Sequence, residues 1–572
     1  MRSITIRLLA VVFVTLAACT PQQRGAPGAG APVYDFVITN GVIYDGGGGA
    51  PFSGDIAIKG DRIAAIGNLD GAGSANVIDA GGMAVAPGFI NMLSWAPVTL
   101  LEDGRGLSDI KQGVTLEVFG EGWSMGPWND AMKAEAIARQ SDIKYDIEWT
   151  ALAEFLGHLE ARGISPNVAS FIGATTVRIH ELGEEDRPPN SEELARMQAL
   201  VSQAMKEGAL GVGSSLIYAP AFYADTDELI GLVDTAEDFG GAYITHMRSE
   251  GGRLLEAVDE VLEIAEATGA GVEIYHLKAA GKENWAKLDD VIAKVNAARA
   301  AGVDIRANMY TYTAGATGLD AAMPPWVQEG GHDAWVARLK DPAIREKLLS
   351  EIETPTDEWE NLYLAAGGAN NVLFIGFKNP ALKPLIGKTL EEVAASRGTS
   401  PAETMIDLVI EDDSRVDTVY FLMSDENVAK KAALPWMSFG SDEGAYAPEG
   451  VFMLSGAHPR AYGTFARVLG KYARDESLMP LEEAIRRLTS FPADNLKIRD
   501  RGRLEEGRYA DIVIFDPGAI KDHATYAEPH QLAAGITHVF VNGEQVLNEG
   551  EHTGAEPGRV VHGPGWTGWD NN

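Results

Sequence analysis

One stretch of the chain, from Ala242 to Lys278, constrains the possible fold more than any other. It reads as a short apolar strand ending at His246, an amphipathic helix, and a second short apolar strand ending at His276. Parallel strands joined by a crossover helix have their carboxyl ends side by side. The two imidazoles are therefore expected at the same edge of a parallel sheet, as a metal site requires.

Strand and helix patterns of this kind alternate from about residue 85 to residue 490. The apolar strands read MAVAPGFIN, TLEVFGEG, VASFIGATT, GALGVGSSL, AYITHM, GVEIYHLK, DIRANMYTY and WMSFGSD. Eight strands separated by helices predict a (β/α)8 barrel of the TIM type over residues 85–494, with its active site at the carboxyl ends of the strands. The region between Tyr312 and Pro435 is too long for one crossover, so residues 320–432 are predicted to form an inserted subdomain over the barrel mouth.

The two ends of the chain have a different sequence pattern. Residues 33–84 and 495–560 contain short alternating strands broken by tight-turn dipeptides such as Asn-Gly. The predicted fold class is therefore α/β, in which a barrel is joined to one β-sandwich built from both chain ends.

The first 19 residues have the parts of a secretory signal: two arginines, an apolar run and small residues. The sequence LAAC at 16–19 resembles the bacterial lipoprotein signal, in which the cysteine is lipidated. We expect lipidation at Cys19, a flexible tether over residues 20–32, and a protein on the periplasmic side of a bacterial membrane. The alternative is an ordinary cleaved signal with an incidental cysteine.

Charge and cysteine content narrow the possible partners. The formal charge is −35, from 47 Lys and Arg against 82 Asp and Glu, which argues against a broad basic face for nucleic acid or an anionic membrane surface. The membrane is expected as a partner only through the lipid anchor, and the oligomeric state is not readable from the sequence. Cys19 is the only cysteine, so the exported domain has no disulfide and no thiolate metal ligand.

Several segments, in the right order, resemble the amidohydrolase superfamily and within it the D-aminoacylase or N-acyl-D-amino-acid deacylase family. They are VAPGFI, QGVT at 112–115, THMRSEGG at 245–252, HLK at 276–278, GSD at 440–442, HPRAYGTF at 458–465, GRLEEGRYADIVIFDP and HVFVNG. The resemblance covers nearly the whole chain after the signal. It implies a metal-dependent barrel plus a β-sandwich, hydrolysing the amide of an N-acyl-D-amino acid or a related compound.

The resemblance also implies roles for individual residues. His246 and His276 fall on the metal-binding histidines of the family, and Asp442 falls on the aspartate that handles the protons of the reaction. Three further positions hold the carbonyl and the carboxylate of the substrate: Lys278, Tyr310 and Arg460. From the residues alone, the histidines could instead be structural and Asp442 a turn residue.

This chain departs from the family pattern at the metal. After PGFI the family has an aspartate and a His-x-His pair that holds one metal, whereas this chain has Leu93 and Trp95 at the pair and cannot ligate zinc there. These two side chains are expected to form an apolar wall. Where D-aminoacylases have a cysteine ligand, Glu121 is the expected replacement, although it could be a solvated loop carboxylate. A family serine that assists carboxylate binding is Ala316 here, followed by Thr317.

The first hypothesis is a zinc-dependent hydrolase with one zinc per chain, held by Glu121, His246 and His276, and acting on a small substrate with a carboxylate. Such a ligand set leaves one open position for water, and Asp442 would be the general base. Two alternatives stay open. One is hydrolysis of a cyclic amide, a dipeptide or a xenobiotic amide, and the other is a non-catalytic binding lipoprotein that retains the fold.

Overall fold

The computed structural model describes residues 33–571. The predicted signal at 1–19, with Cys19, and the predicted tether at 20–32 lie outside the described residues. Among the helices that are described, none has both the length and the hydrophobicity needed to cross a membrane.

The strands occur in three runs along the chain. The first run is β1 (Val33–Ile43), β2 (Phe52–Lys59), β3 (Arg62–Gly67), β4 (Gly73–Asp79) and β5 (Ala84–Pro87). The second run is β6 (Phe89–Asn91), β7 (Val114–Phe119), β8 (Asn167–Ser170), β9 (Ile172–Gly173), β10 (Gly211–Ser215), β11 (Ala242–His246), β12 (Val272–Ile274), β13 (Ile305–Met309), β14 (Ala314–Gly318), β15 (Val372–Gly376), β16 (Asp417–Phe421) and β17 (Met437–Phe439). The last run is β18 (Ile512–Phe515), β19 (Ile536–Val541), β20 (Glu544–Asn548) and β21 (Glu551–His552).

The α-helices follow the strands of the middle region. They are α1 (Pro97–Glu102), α2 (Leu107–Ile110), α3 (Asp130–Arg139), α4 (Leu152–Arg162), α5 (Ala174–Leu182), α6 (Ser191–Glu207), α7 (Thr226–Glu237), α8 (Leu254–Thr268), α9 (Lys287–Ala300), α10 (His332–Lys340), α11 (Pro342–Ile352), α12 (Leu362–Ala365), α13 (Leu390–Arg397), α14 (Pro401–Asp412), α15 (Asp425–Ala432), α16 (Arg460–Arg467), α17 (Leu481–Leu488) and α18 (Ser490–Asn495). Helices such as α6, α7 and α8 bury one apolar stripe each against the strands, as amphipathic crossover helices do.

The middle strands form a parallel barrel. One sheet has the order β17-β13-β12-β11-β10-β9, and a second has the order β6-β7-β8. The chain runs from β8 to β9 with one residue between them, and the amide of Met92 donates to the carbonyl of Phe439 at 3.2 Å, joining the end of β6 to β17. With β8 and β9 as one position there are eight strand positions, so the predicted TIM-type barrel is confirmed.

The segment MAVAPGFIN is two strands and not the single strand that the sequence predicts. β5 belongs to the sheet formed by the chain ends, while β6 enters the barrel. Gly88 separates them, and a Cβ at this position would overlap the side chain of Thr115. The close approach of the Thr115 side chain to the backbone at this corner therefore requires glycine.

Strands from both chain ends form one nine-stranded sheet. Its order is β21-β20-β19-β18-β5-β1-β2-β3, with β4 paired to β1. The link between the two ends is the antiparallel pair of β18 and β5, in which Ile514 lies opposite Val85. Both side chains are buried in the apolar core of this sheet.

Residues 314–423 form a region whose apolar core also includes Ala280, Tyr310 and Tyr312 of the barrel. A small antiparallel sheet of the order β14-β16-β15 lies in this region, together with α10 to α14. Some of these residues line the same cavity as residues at the carboxyl ends of the barrel strands.

The pairing of the chain ends can be tested by removing apolar volume at the junction. Ile514→Ala is expected to cost about 2–5 kcal/mol of stability, because a buried isoleucine is lost and a cavity remains. Its midpoint of thermal unfolding should fall by several degrees, measured by circular dichroism. Val77→Ala, in β4 and 58% exposed, is the control and should change the midpoint little. Equal midpoints for the two variants would contradict a tightly packed junction.

Candidate active site

The predicted metal and catalytic residues each follow the carboxyl end of a barrel strand. His246 is the last residue of β11, Glu121 and His276 lie two residues beyond β7 and β12, and Asp442 lies three residues beyond β17. All four are between 3% and 9% exposed. The parallel arrangement of the strands therefore brings them to one end of the barrel, as the sequence predicts.

One oxygen of Glu121 contacts both histidines. Its Oε1 lies 2.9 Å from Nε2 of His276 and 3.2 Å from Nδ1 of His246. The two imidazole rings are nearly perpendicular, with centroids 4.5 Å apart. One carboxylate oxygen and two imidazole nitrogens from three strands thus converge within 4.8 Å of one another, which is a donor set that fits zinc.

The electrostatics of these side chains favour a cation between them. Burial by itself would raise the pKa of Glu121, but the neighbouring imidazoles, His276 first, hold the pKa of its carboxyl well below the usual value. Burial and Lys278 lower the pKa of His276, while Glu250 and Glu121 raise it, and the pKa reaches about 9. Two carboxylates around the imidazoles therefore stabilise positive charge at this point.

Glu250 is a site residue that the sequence reasoning missed. Its Oε1 lies 3.1 Å from Nδ1 of His276, and its Oε2 lies 3.5 Å from Nε2 of His246. It therefore faces the nitrogens that point away from Glu121, as carboxylates behind metal-binding histidines do. The signal in the sequence was its place in THMRSEGG, four residues after His246.

The ammonium group of Lys278 pairs with the carboxylate of Glu250. Its Nζ is 2.7 Å and 2.8 Å from the two oxygens of Glu250 and 2.7 Å from Nδ1 of His276, and the side chain is 4% exposed. A second group of possible ligands, His246, Glu250 and Glu360, also lies close together. Because the ammonium of Lys278 covers both oxygens of Glu250, a cation there would meet like charge, and the Glu121 set is the better metal site.

Arg460, Tyr310 and Asp442 form a second group beside the first. Nη1 of Arg460 lies 2.7 Å from Oδ2 of Asp442, and the guanidinium lies 4.4 Å from the centre of the Tyr310 ring. Burial raises the pKa of Asp442, and the Arg460 charge opposes that shift. The structure therefore brings the predicted catalytic aspartate and the predicted carboxylate-binding arginine into direct contact.

Two site residues have positive φ angles, which non-glycine residues rarely adopt. They are His276, with φ of 32°, and Asp442, with φ of 55°. The amide of His276 donates to Oδ1 of Asn308 at 2.8 Å, and the amide of Asp442 donates to the carbonyl of Leu93 at 2.8 Å. These contacts between neighbouring strand ends hold a backbone conformation that costs about 1–3 kcal/mol at each residue.

Leu93 and Trp95, predicted to form an apolar wall, differ from each other in exposure and in their contacts. Leu93 is 1% exposed and packs in the apolar interior of the barrel, in agreement with that interpretation. Trp95 is 42% exposed and is not simple filler, because its indole N–H donates to Oε2 of Glu121 at 3.0 Å and to Oδ1 of Asp442 at 3.2 Å. An indole N–H has no lone pair for a metal, and neither has leucine.

A cavity of about 630 Å³ opens over these residues. Its lining includes Lys278, Tyr310 and Arg460 from the barrel, together with residues of the region between 314 and 422. Ala316 and Thr317 lie in this wall, and the Thr317 hydroxyl accepts a hydrogen bond from Nη2 of Arg415 at 3.0 Å. Where the resemblance leads one to expect a serine, the cavity wall therefore has the hydroxyl of Thr317 and the guanidinium of Arg415.

Comparison with known proteins gives relatives over nearly the whole chain. The amidohydrolase family model matches residues 76–547. A D-aminoacylase from Alcaligenes xylosoxydans xylosoxydans is 32% identical over 529 residues, which are 92% of this chain and 97% of that protein.

Two solved structures are also similar. One is D-aminoacylase, described with a binuclear metal centre, one-metal activation and second-metal attenuation; it is 30% identical with a TM-score of 0.77, over 92% of this chain and 100% of that one. The other is N-acyl-D-glutamate deacylase from Bordetella bronchiseptica, in complex with zinc and a phosphonate inhibitor. It is 27% identical with a TM-score of 0.77, over 93% of this chain and 100% of that one. The chain therefore belongs to the amidohydrolase family, in its D-aminoacylase branch.

Proposed function

We propose that this protein is a zinc-dependent hydrolase that cleaves the amide bond of N-acyl-D-amino acids or related amides that carry a carboxylate. The observation that carries the proposal is the convergence of Glu121 Oε1 on Nε2 of His276 and Nδ1 of His246, at 2.9 Å and 3.2 Å. This donor set faces a cavity that contains a buried arginine. The substrates named for the similar proteins, N-acyl-D-amino acids, contain both an amide and a carboxylate.

Glu121, His246 and His276 would hold one zinc ion per chain. Zinc at this point would supply a Lewis acid that activates water and polarises the amide carbonyl. Glu250, 3.1 Å from Nδ1 of His276 and 3.5 Å from Nε2 of His246, would stabilise positive charge on both rings from the side opposite Glu121. The one-metal activation described for D-aminoacylase supports a mononuclear centre.

Asp442 would accept a proton from the attacking water and deliver it to the leaving amine. Asp442 lies beside the proposed metal ligands. The same indole N–H of Trp95 donates to Oδ1 of Asp442 and to Oε2 of Glu121, so the two carboxylates are neighbours. Burial raises the pKa of this carboxyl, and the charge of Arg460 opposes the rise.

The remaining cations would bind the substrate. We assign the substrate carboxylate to Arg460, since a guanidinium pairs with a carboxylate through two parallel hydrogen bonds. Tyr310 and Lys278 line the cavity beside His276, and we assign them to the carbonyl oxygen, where charge develops in the transition state. In this role Lys278 would exchange one of its present contacts, with Glu250 or His276, for the carbonyl oxygen. The residues within 320–432 that line the cavity would shape the pocket for the acyl group and the side chain.

We further propose that the enzyme acts on the periplasmic side of a bacterial membrane, held there by a lipid on Cys19. The support for this is the signal-like sequence of residues 1–19 and the single cysteine at its end.

The metal site predicts a clear pattern of zinc content. The purified protein should contain one zinc per chain, and Glu121→Ala, His246→Ala and His276→Ala should each lose it. Glu121→Cys is the matched variant and should retain zinc, because a thiolate is also a zinc ligand. The measurement is metal analysis after dialysis. A stoichiometric second zinc would contradict the interpretation of Leu93 and Trp95, and a protein without zinc would favour the binding lipoprotein.

The substrate class is tested with a panel of N-acyl-D- and N-acyl-L-amino acids, with zinc content measured on the same sample. Hydrolysis of members of the D series is expected, lost on chelation and restored by zinc. Cyclic amides and dipeptides belong in the same panel. Turnover of those compounds alone would replace the proposed substrate class, and no turnover by zinc-loaded protein would reject the enzyme.

The role of Asp442 predicts a loss of rate without a loss of metal. Asp442→Asn should lower kcat by about 10²- to 10⁴-fold, because proton transfer by a positioned carboxylate contributes on that order. Its zinc content should equal that of the unmodified protein. Glu443→Gln, at the neighbouring position, is the control and should lose much less activity. A kcat for Asp442→Asn close to that of Glu443→Gln would contradict the assigned role.

A further inference from the structure

We propose that Trp95 is a positioning residue of the active site, whose indole N–H holds the carboxylates of Glu121 and Asp442 in their working orientations. The inference rests on the proposed function for the roles of those two carboxylates. It concerns one hydrogen atom shared between two acceptors, Oε2 of Glu121 at 3.0 Å and Oδ1 of Asp442 at 3.2 Å.

The two oxygens of each carboxylate have separate partners. Glu121 directs Oε1 to the histidines and Oε2 to Trp95. Asp442 directs Oδ2 to Arg460 and Oδ1 to Trp95. The indole is therefore the group that links the donor set to the predicted proton carrier. Without this donor, two buried carboxylates would approach each other with no hydrogen between them, which like charge disfavours.

The backbone fixes the indole relative to Asp442. The amide of Trp95 donates to the carbonyl of Glu443 at 2.9 Å, and the amide of Asp442 donates to the carbonyl of Leu93 at 2.8 Å. The segment 93–95 and the loop 442–443 are thus joined by two backbone hydrogen bonds around a parallel bridge between Ser94 and Glu443. This pairing fixes the backbone from which the indole extends, and the N–H already contacts both carboxylates in the absence of substrate.

The size and exposure of Trp95 fit the same role. A tryptophan that is 42% exposed at the base of a cavity contributes little to the core, and its ring also lines the cavity. Only the N–H edge of the ring reaches Oε2 of Glu121 and Oδ1 of Asp442 within hydrogen-bond distance.

The test removes the N–H and keeps the ring. In Trp95→Phe, the affinity for zinc, measured by titration without substrate, should fall about 10- to 100-fold, the usual effect of losing a group that orients a metal ligand. At saturating zinc, kcat should fall while KM changes little, because orientation of Asp442 matters in the transition state and not for substrate binding.

A matched control is available in the same chain. Trp326 also donates its indole N–H to a carboxylate, Oε2 of Glu351 at 2.8 Å, and it is not among the described residues that line the active-site cavity. Trp326→Phe removes the same kind of hydrogen bond and should leave zinc affinity and kcat as in the unmodified protein.

A second variant separates the hydrogen bond from packing and does not depend on the folding of Trp95→Phe. Replacing Trp95 by β-(3-benzothienyl)alanine substitutes sulfur for the N–H within a ring of nearly the same shape. Reduced zinc affinity and reduced kcat in this variant support the proposal, and unmodified values for both overturn it. If the unmodified protein hydrolyses no member of the substrate panel, the proposed function fails, while the zinc titrations still decide whether Trp95 supports Glu121.

Discussion

The contact of one carboxylate oxygen with two imidazoles is the interaction on which the centre depends. Oε1 of Glu121 meets His246 and His276 at hydrogen-bond distance, and the three side chains come from three different strands of the barrel. A buried carboxylate is stable only when it is paired, so this contact fixes the relative positions of the strand ends. On the side of the imidazoles away from Glu121, the negative charge of Glu250 is paired with the ammonium of Lys278.

The first barrel strand lacks the His-x-His pair that the resemblance leads one to expect, and an uncharged side chain links it to its neighbours. Asn91, where the family has an aspartate, donates to Oε2 of Glu117 at 2.9 Å and to Oγ of Ser441 at 2.8 Å. Burial raises the pKa of Glu117 to about 7, although hydrogen bonds from Ser94 and Asn91 act to lower it. An uncharged amide thus ties the first strand to the loop before Asp442, and no cation is needed for that link.

Much of the fold could be predicted from the sequence, because the alternation of strands and helices is a local pattern. The barrel strands agree with the predicted segments, but the segment MAVAPGFIN is divided, since Gly88 allows a sharp passage from one sheet to another. That division depends on the approach of Thr115, which is distant in the sequence and could not be read from the segment itself.

The sequence by itself determined which residues reach the carboxyl ends of the barrel strands, including His246, His276 and Glu121, because strand ends follow from apolar periodicity. Only the tertiary structure decided where the loop side chains point. Glu250 faces back onto the imidazoles, and the indole of Trp95 bridges two carboxylates rather than filling the core. Positive φ angles place His276 and Asp442, and backbone hydrogen bonds between segments about 350 residues apart hold Trp95 beside the loop of Asp442; no local pattern encodes either.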